Sequence, residues 1–322
     1  MTTVGFDVSK DSLAVACLNR SGQLMHSDIC PNTAAEIASY LQALRNRYSH
    51  LTLVAEATGE YHRVLALTSL ELGLVLKLLN PIMTKQFTRA TVRGKKTDPS
   101  DAVIIARLAL QGEGVQVTAG MFTKAKPFTR TAANLIRAKQ RVVAMAKHVR
   151  AVMPEETAAV AQLLDCASSL EQTAICFRAQ ATQTLDSHQL KLLCSIPGVG
   201  PTIAATIVSE VGDVERFKTA KALVAYAGLD PRVRQSGTTL SHNTSLTKRG
   251  TPYLRRDLFI AASVAKRWDP DLRAYYEKKR GEGRTYTEAI IAVSRKLLYR
   301  VYAVWKRNGA YVKRTPGVDT TF

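Results

Sequence analysis

Between residues 4 and 79 the apolar residues switch repeatedly between a spacing of two and a helical spacing, and such a chain must build layers. Val4-Gly5-Phe6-Asp7-Val8 reads as a short strand, Ser12 to Leu18 as a second and Gln23 to Ile29 as a third. The turn residues Asn19-Arg20-Ser21-Gly22 make these strands a meander. Thr33 opens a helix to about Arg47, with Ile37, Tyr40, Leu41 and Leu44 on one face. Leu51 to Glu56 is apolar on both faces and so reads as a central strand. A helix from about Tyr61 to Leu72 is stopped by Gly73, and a buried strand from Leu74 to Leu79 ends at Asn80-Pro81. This order predicts an α/β layered domain with a mixed sheet.

The middle of the chain has another rhythm. From Thr129 to Val152, and from Glu155 to about Leu185, the pattern is helical, with Pro154 between. Leu135, Val142 and Val149 recur every seventh residue, as do Ala138, Met145 and Val152. Leu163, Leu170 and Phe177 repeat this beside Ala167, Ala174 and Ala181. Two readings stand: an antiparallel coiled-coil arm roughly 35–45 Å long that serves dimerisation, or two amphipathic helices laid on a core. The last part, from His188, is mostly helical, with a Ser-, Thr- and Gly-rich loop near 235–247. The expected division is 1–115, 124–187 and 188–322.

Charge narrows the partners. The 322 residues hold 45 Lys and Arg against 26 Asp and Glu, a formal net charge of +19. That excess calls for a polyanion, and 46% hydrophobic residues exclude wholesale disorder. No apolar run approaches the ~18 residues of a membrane span, and Met1-Thr2-Thr3-Val4 opens no signal peptide, so a cytoplasmic location and no membrane partner are expected. The five cysteines make no C-x-x-C pair, the six histidines no ligand spacing, and no G-x-x-x-x-G-K-[ST] loop is present.

Four carboxylates stand out. Asp7 lies in the first strand and Glu56 ends the fourth, where acids are uncommon. Asp98 and Asp101 lie three apart at a helix start. Asp98-Pro99-Ser100-Asp101 can be read as capping alone, Asp7 as a strand-end acid, and Glu56 as an arginine partner. Together they have the composition that holds divalent magnesium or manganese against phosphate.

Gly5-Phe6-Asp7-Val8-Ser9-Lys10, Glu56-Ala57-Thr58-Gly59, Asn80-Pro81 and Lys96-Thr97-Asp98-Pro99-Ser100-Asp101-Ala102 resemble the DEDD transposases of the IS110/IS1111 insertion-sequence family. The pilin-inversion recombinases belong to the same group. The resemblance runs in order from residue 5 to about 270. It implies a RuvC-like (ribonuclease H-like) N-terminal domain, with Asp7, Glu56, Asp98 and Asp101 as metal-binding catalytic acids. Phe6 stands where isoleucine is more usual.

In the C-terminal part, Ile196-Pro197-Gly198-Val199-Gly200-Pro201 resembles a helix-hairpin-helix turn. Gly198 and Gly200 either let backbone amides reach a phosphate or make a tight turn with no ligand. Arg232, Arg234, Lys248, Arg249, Arg255 and Arg256 are uninterrupted by any acid and read as a phosphate grip or a solvated basic face. Two further acid-free basic stretches run from Val115 to Pro154 and from Ala289 to Val318. Lys95, Lys96, Arg137 and Arg141 join the nucleic-acid contacts expected. With few aromatics, 7% of residues, the whole fits duplex backbone binding better than base stacking.

Ser236-Gly237 is by itself an ordinary turn pair. After Pro231-Arg232 it matches the position of the family's nucleophilic serine. The resemblance implies that Ser236 of one subunit meets the acids of another and forms a phosphoserine with DNA. It also implies donor and target DNA, a guiding structured noncoding RNA, and a dimer of dimers. A RuvC-like nuclease that resolves junctions with water, and a non-catalytic helix-hairpin-helix nucleic-acid-binding protein, remain as alternatives.

Overall fold

β1 (Thr2–Val8) is the hub of the N-terminal sheet. The computed structural model describes residues 2–57, 60–91, 98–230, 235–236, 239–240 and 250–312, with the backbone alone at 82, 88–91, 98–100, 235–236 and 239–240. The chain forms two compact units, Met1–Phe122 and Thr123–Phe322.

In the first unit β1 is followed by β2 (Ser12–Leu18), β3 (Leu24–Pro31), α1 (Ala34–Arg47), β4 (Leu51–Glu56), α2 (His62–Glu71), β5 (Leu76–Leu79), α3 (Pro81–Thr91), α4 (Asp98–Leu110) and β6 (Val115–Gln116). The sheet order is β3-β2-β1-β4-β5-β6. β1 is antiparallel to β2 and parallel to β4, β4 is parallel to β5, and β6 closes the edge antiparallel. The mixed α/β layering expected is therefore present. One α-helix and one strand were not expected, α3 and β6. Pro81 begins a helix instead of only ending a strand, since proline suits a first helical turn that needs no N–H.

Period-two alternation sorts the sheet's residues between two helical layers. Val4, Phe6 and Val8 of β1, with Leu53 and Ala55 of β4, pack into one core with Ile37 and Leu41 of α1 and Leu65 of α2. Val54 of β4 and Leu79 of β5 pack on the other side with Ile104, Ile105 and Leu108 of α4. Gly5 makes that second packing possible. A Cβ there would collide with the Ala102 carbonyl and lie 2.8 Å from the Ala106 nitrogen, so only glycine lets α4 lie on β1.

The second unit comprises α5 (Ala125–Val152), α6 (Thr157–Gln183), α7 (Ser187–Cys194), α8 (Pro201–Val211), α9 (Ala220–Ala227), β7 (Gln235–Ser236), β8 (Thr239–Leu240), α10 (Pro252–Trp268), α11 (Pro270–Gly281) and α12 (Tyr286–Arg307). α5 and α6 pack along one another as a two-helix hairpin, each about 40 Å long. On α6 the buried residues are Val160, Ala167, Ala174 and Ala181, spaced by sevens. On α5 the matching seam is Ala125, Ala132 and Ala146, with Lys139 at the intervening step and bonded to Glu171 at 2.6 Å. The expected row Ala138, Met145 and Val152 is off the seam by one residue, and Met145 and Val152 are exposed. Small alanines let the helices come close, so size, not hydrophobicity, marks the contact line.

The hairpin's base is tied to α8. Arg130 makes a bidentate pair with the fully buried Glu210, at 2.6 and 3.0 Å, and Thr129 bonds Ser209 at 3.0 Å. α12 supplies the spine of the remaining core through Ile290, Val293, Leu297, Val301 and Trp305, packed with Leu254, Leu258 and Ala261 of α10. A capping box of Thr285 and Glu288 starts α12. Within the stretch expected to be a loop, β7 and β8 pair as a short hairpin. Among the described residues no helix is long and apolar enough to cross a membrane.

Candidate active site

The parallel pairing of β1 and β4 sets two of the acids side by side. Phe6 is level with Ala55, so the next residues, Asp7 and Glu56, stand level at the carboxyl ends of their strands. Alternation turns both toward the α4 layer, opposite Phe6 and Ala55. Asp7 is two residues beyond Gly5, and Gly5 lies against Ala102. Asp101 immediately precedes Ala102 in the first turn of α4. One glycine thus brings the helix that starts with Asp98 and Asp101 onto the face that carries Asp7 and Glu56. The side chain of Asp98 lies outside the described residues, as do Lys95 and Lys96.

Asp7, Glu56 and Asp101 are all half-buried. Glu56 accepts a hydrogen bond through Oε2 from the Thr84 hydroxyl of α3, which also lies 3.0 Å from the Pro81 carbonyl. Among the described residues no three His, Cys, Asp or Glu side chains are gathered closely enough to hold an ion. By donor type alone Asp7, Glu56 and Asp101 suit a hard divalent cation, with carboxylate oxygens from two strand ends and one helix start. Thr84 escaped the sequence reading. Its only signal was the Asn80-Pro81 pair, which begins the helix that carries it.

Ser236 belongs to the second unit. Its backbone pairs with Thr239 across the β7–β8 hairpin, and its side chain lies outside the described residues. Arg232, Arg234, Lys248 and Arg249 also lie outside them. The remaining basic residues divide by what they touch. Arg255 donates to the carbonyls of Gly250 at 2.6 Å and Ala227 at 3.3 Å, and burial lowers its pKa. Arg256 pairs at 2.6 Å with the neighbouring Asp257, whose side chain is buried. Arg137 stacks 5.2 Å from the Tyr253 ring, and Arg141 is exposed.

The two glycines of the α7–α8 turn also part company. Gly198 has φ +88°, and a Cβ there would lie 2.5 Å from the Ala261 carbonyl and 2.7 Å from the Ala265 nitrogen. Its job is to admit α10. Gly200 is exposed, its Cβ position is open, and it precedes the first turn of α8.

The parts of this arrangement recur in known proteins. A family model described as Transposase matches residues 4–154, and one described as Transposase IS116/IS110/IS902 family matches residues 190–277. The chain belongs to this transposase family. The pilin gene-inverting protein of Moraxella bovis is 27% identical over 97% of this chain and 98% of its own. A 43.6 kDa protein of insertion element IS110 from Streptomyces coelicolor is 36% identical over 44% of this chain and 35% of its own. The transposase for insertion sequence element IS1111A of Coxiella burnetii is 31% identical over 36% of this chain and 33% of its own. A Thermus thermophilus RuvC structure aligns with 36% of this chain and 100% of that chain at 13% identity, with a TM-score of 0.30. That score is too low to carry the fold, which rests on the sheet itself. One transposase model ends just after α5 and the next begins in α7, so the acid-bearing and serine-bearing regions fall under separate models.

Proposed function

We propose that this transposase cuts and rejoins donor and target DNA with a RuvC-like acid site and the Ser236 hydroxyl. The observation that carries the reading is the level placement of Asp7 and Glu56 on the face that receives the start of α4. Asp7, Glu56, Asp98 and Asp101 would hold magnesium or manganese. Bound there, the metal would lower the charge on a DNA phosphate and stabilise attacking and leaving oxygens.

Ser236 Oγ would attack the phosphorus while its proton passes to a nearby carboxylate. One bridging oxygen would leave as a sugar hydroxyl and take up a proton. The phosphate, now on serine, would pass to a hydroxyl of the incoming strand and release Ser236 with its proton restored. Free energy stored in the phosphoserine spares the chain a nucleotide cofactor. The Ser236 hairpin and the acids belong to different compact units, which fits a composite site built from two subunits. A dimer of dimers, with the 124–187 arm as its contact and 188–322 as the serine-bearing part, completes the assembly proposed.

A structured noncoding RNA is the proposed guide, held with DNA by the basic stretches. Arg141 and Gly200 are exposed and are proposed as contacts, together with Arg232, Arg234, Lys248 and Arg249 around Ser236. Arg137, Arg255 and Arg256 would contribute through the surfaces they shape. Strand exchange between donor and target plasmids tests the reading. Product should vanish in Ser236→Ala and in Asp98→Ala, and a covalent protein–DNA adduct should form only with Ser236 present. Undiminished product from Ser236→Ala would replace serine attack by water attack.

A further inference from the structure

The second unit has an open trough of about 1010 Å³ between α11, α12 and the residues after α12. A second depression of about 400 Å³ shares Tyr275, Lys296 and Tyr299 with it and extends it toward Arg295. Few aromatics occur in the chain, yet four tyrosines line the trough. Two are fixed at their hydroxyls. Tyr302 donates to the Phe217 carbonyl at 3.0 Å, and Tyr311 donates to Asp269 at 2.9 Å. Tyr275 has the Lys296 ammonium 4.2 Å from its ring centroid. Tyr299 is 39% exposed and one helical turn beyond Arg295 and Lys296.

The charge is one-sided. Lys278, Lys296 and Arg307 line the trough, while its acid, Asp271, is bonded to Arg300 at 3.3 Å. In the second depression Asp230 is the acid, set against Lys221 and Arg295. Rigid aromatic rings alternating with cations form a stacking platform beside a phosphate track. A duplex keeps its base faces covered, whereas an unpaired strand offers them.

We propose that this trough binds an unpaired DNA strand, with a base stacked on Tyr299 and the flanking phosphates on Lys278 and Arg307. The choice of DNA rests on the transposase reading, but the site does not depend on Ser236 or on a metal. Cutting and rejoining two duplexes exposes unpaired strands, and the trough would hold one away from its complement.

The test is equilibrium binding of the full chain to a labelled 15-nucleotide oligo-dT strand, with the oligo-dA:oligo-dT duplex and oligo-U RNA as parallel probes. A chelator is present throughout, so failed strand exchange by the wild type would leave this measurement intact. Tyr299→Ala should weaken oligo-dT about tenfold and leave the duplex unchanged, and Tyr299→Phe should bind as the wild type does. Lys278→Gln and Arg307→Gln should each flatten the salt dependence of oligo-dT binding by ~0.7 in log–log slope. Tyr299 is exposed, so an unaltered melting temperature accompanies these outcomes. The proposal fails if Tyr299→Ala leaves oligo-dT binding intact, weakens the duplex equally, or weakens oligo-U more than oligo-dT.

Discussion

Gly5 and Gly198 do the same steric work in the two units, and the consequences differ. Each lies under a helix that a Cβ would push away: α4 at Gly5 and α10 at Gly198. Under Gly5 the arriving helix starts with acids and faces two strand-end acids. Under Gly198 the arriving helix brings Ala261 and Ala265, and the result is a core. The carboxylates follow the same division. Glu210, Asp257 and Asp269 in the second unit are buried and each pairs with an arginine, which is how a buried charge is tolerated. Glu56 in the first unit is half-buried and accepts from the hydroxyl of Thr84. Close packing alone does not mark a site; what the close helix carries does.

The strongest test of that contrast is a charge-only change in each unit. Asp7→Asn should lower strand exchange on the order of a thousandfold while the melting temperature holds or rises. Loss of activity with matching loss of fold would make Asp7 a structural acid and erase the contrast. Arg130→Ala should do the opposite. It strands the buried Glu210 and should cost about 3 kcal/mol in denaturant unfolding of the second unit. A cost near zero would show that Glu210 is solvated and that the pairing is incidental.

Gly5→Ala should cost about 1–3 kcal/mol by overpacking, and Gly198→Ala somewhat more, because its φ of +88° adds backbone strain. They should differ in activity measured well below the melting point. Gly5→Ala shifts the helix that carries Asp101 and should lose strand exchange beyond its stability cost, while Gly198→Ala should lose it only in step with unfolding. Equal losses would remove the special standing of Gly5.

The smallest effect is a pH dependence in the second unit. Burial first, then the bond to Asp269, pushes the Tyr311 phenol up to about 12. That exceeds the ~10 of an unperturbed phenol, so the native state holds this proton more tightly than the unfolded chain does. Its contribution is full below pH ~10 and is lost as pH climbs through about 12. Wild type should therefore melt above Tyr311→Phe at neutral pH, and the gap should close between pH 10 and 12. Asp269 titrates at the other end. Burial works against its charge, but the Leu272 N–H, Arg300 and Tyr311 outweigh burial and hold its carboxyl below the usual range.

Much of the first unit was legible because a buried sheet prints its period in the sequence. Ser12–Leu18 and Leu51–Glu56 emerge with the bounds expected, and Thr33 caps α1 by accepting from the Glu36 N–H. β6 was illegible because two residues carry no period, and α3 because Asn80-Pro81 signals a stop as readily as a start. Asp7 and Glu56 were legible as acids where strands disfavour them. Thr84 was not, since a lone threonine in a helix announces no partner. In the second unit a seven-residue repeat revealed the hairpin; on α6 the expected row Ala167, Ala174 and Ala181 is the buried one, whereas on α5 larger side chains drew the expected row one residue away from the small ones. Gly198 shows a matching limit: sequence reveals that a glycine is needed, and only the structure shows the helix α10 packed against it.

Lys139 gives the α5–α6 hairpin something its alanines lack, a unique index. A ladder of like residues at seven-residue steps is degenerate, and a slip of two turns would lay alanine on alanine again. The seam's one lysine and its Glu171 partner break that degeneracy. Only one alignment lets Lys139 and Glu171 pair, so a slipped hairpin loses that ion pair. The pair is a mark of register along two otherwise repetitive helices, one that their alanines cannot supply.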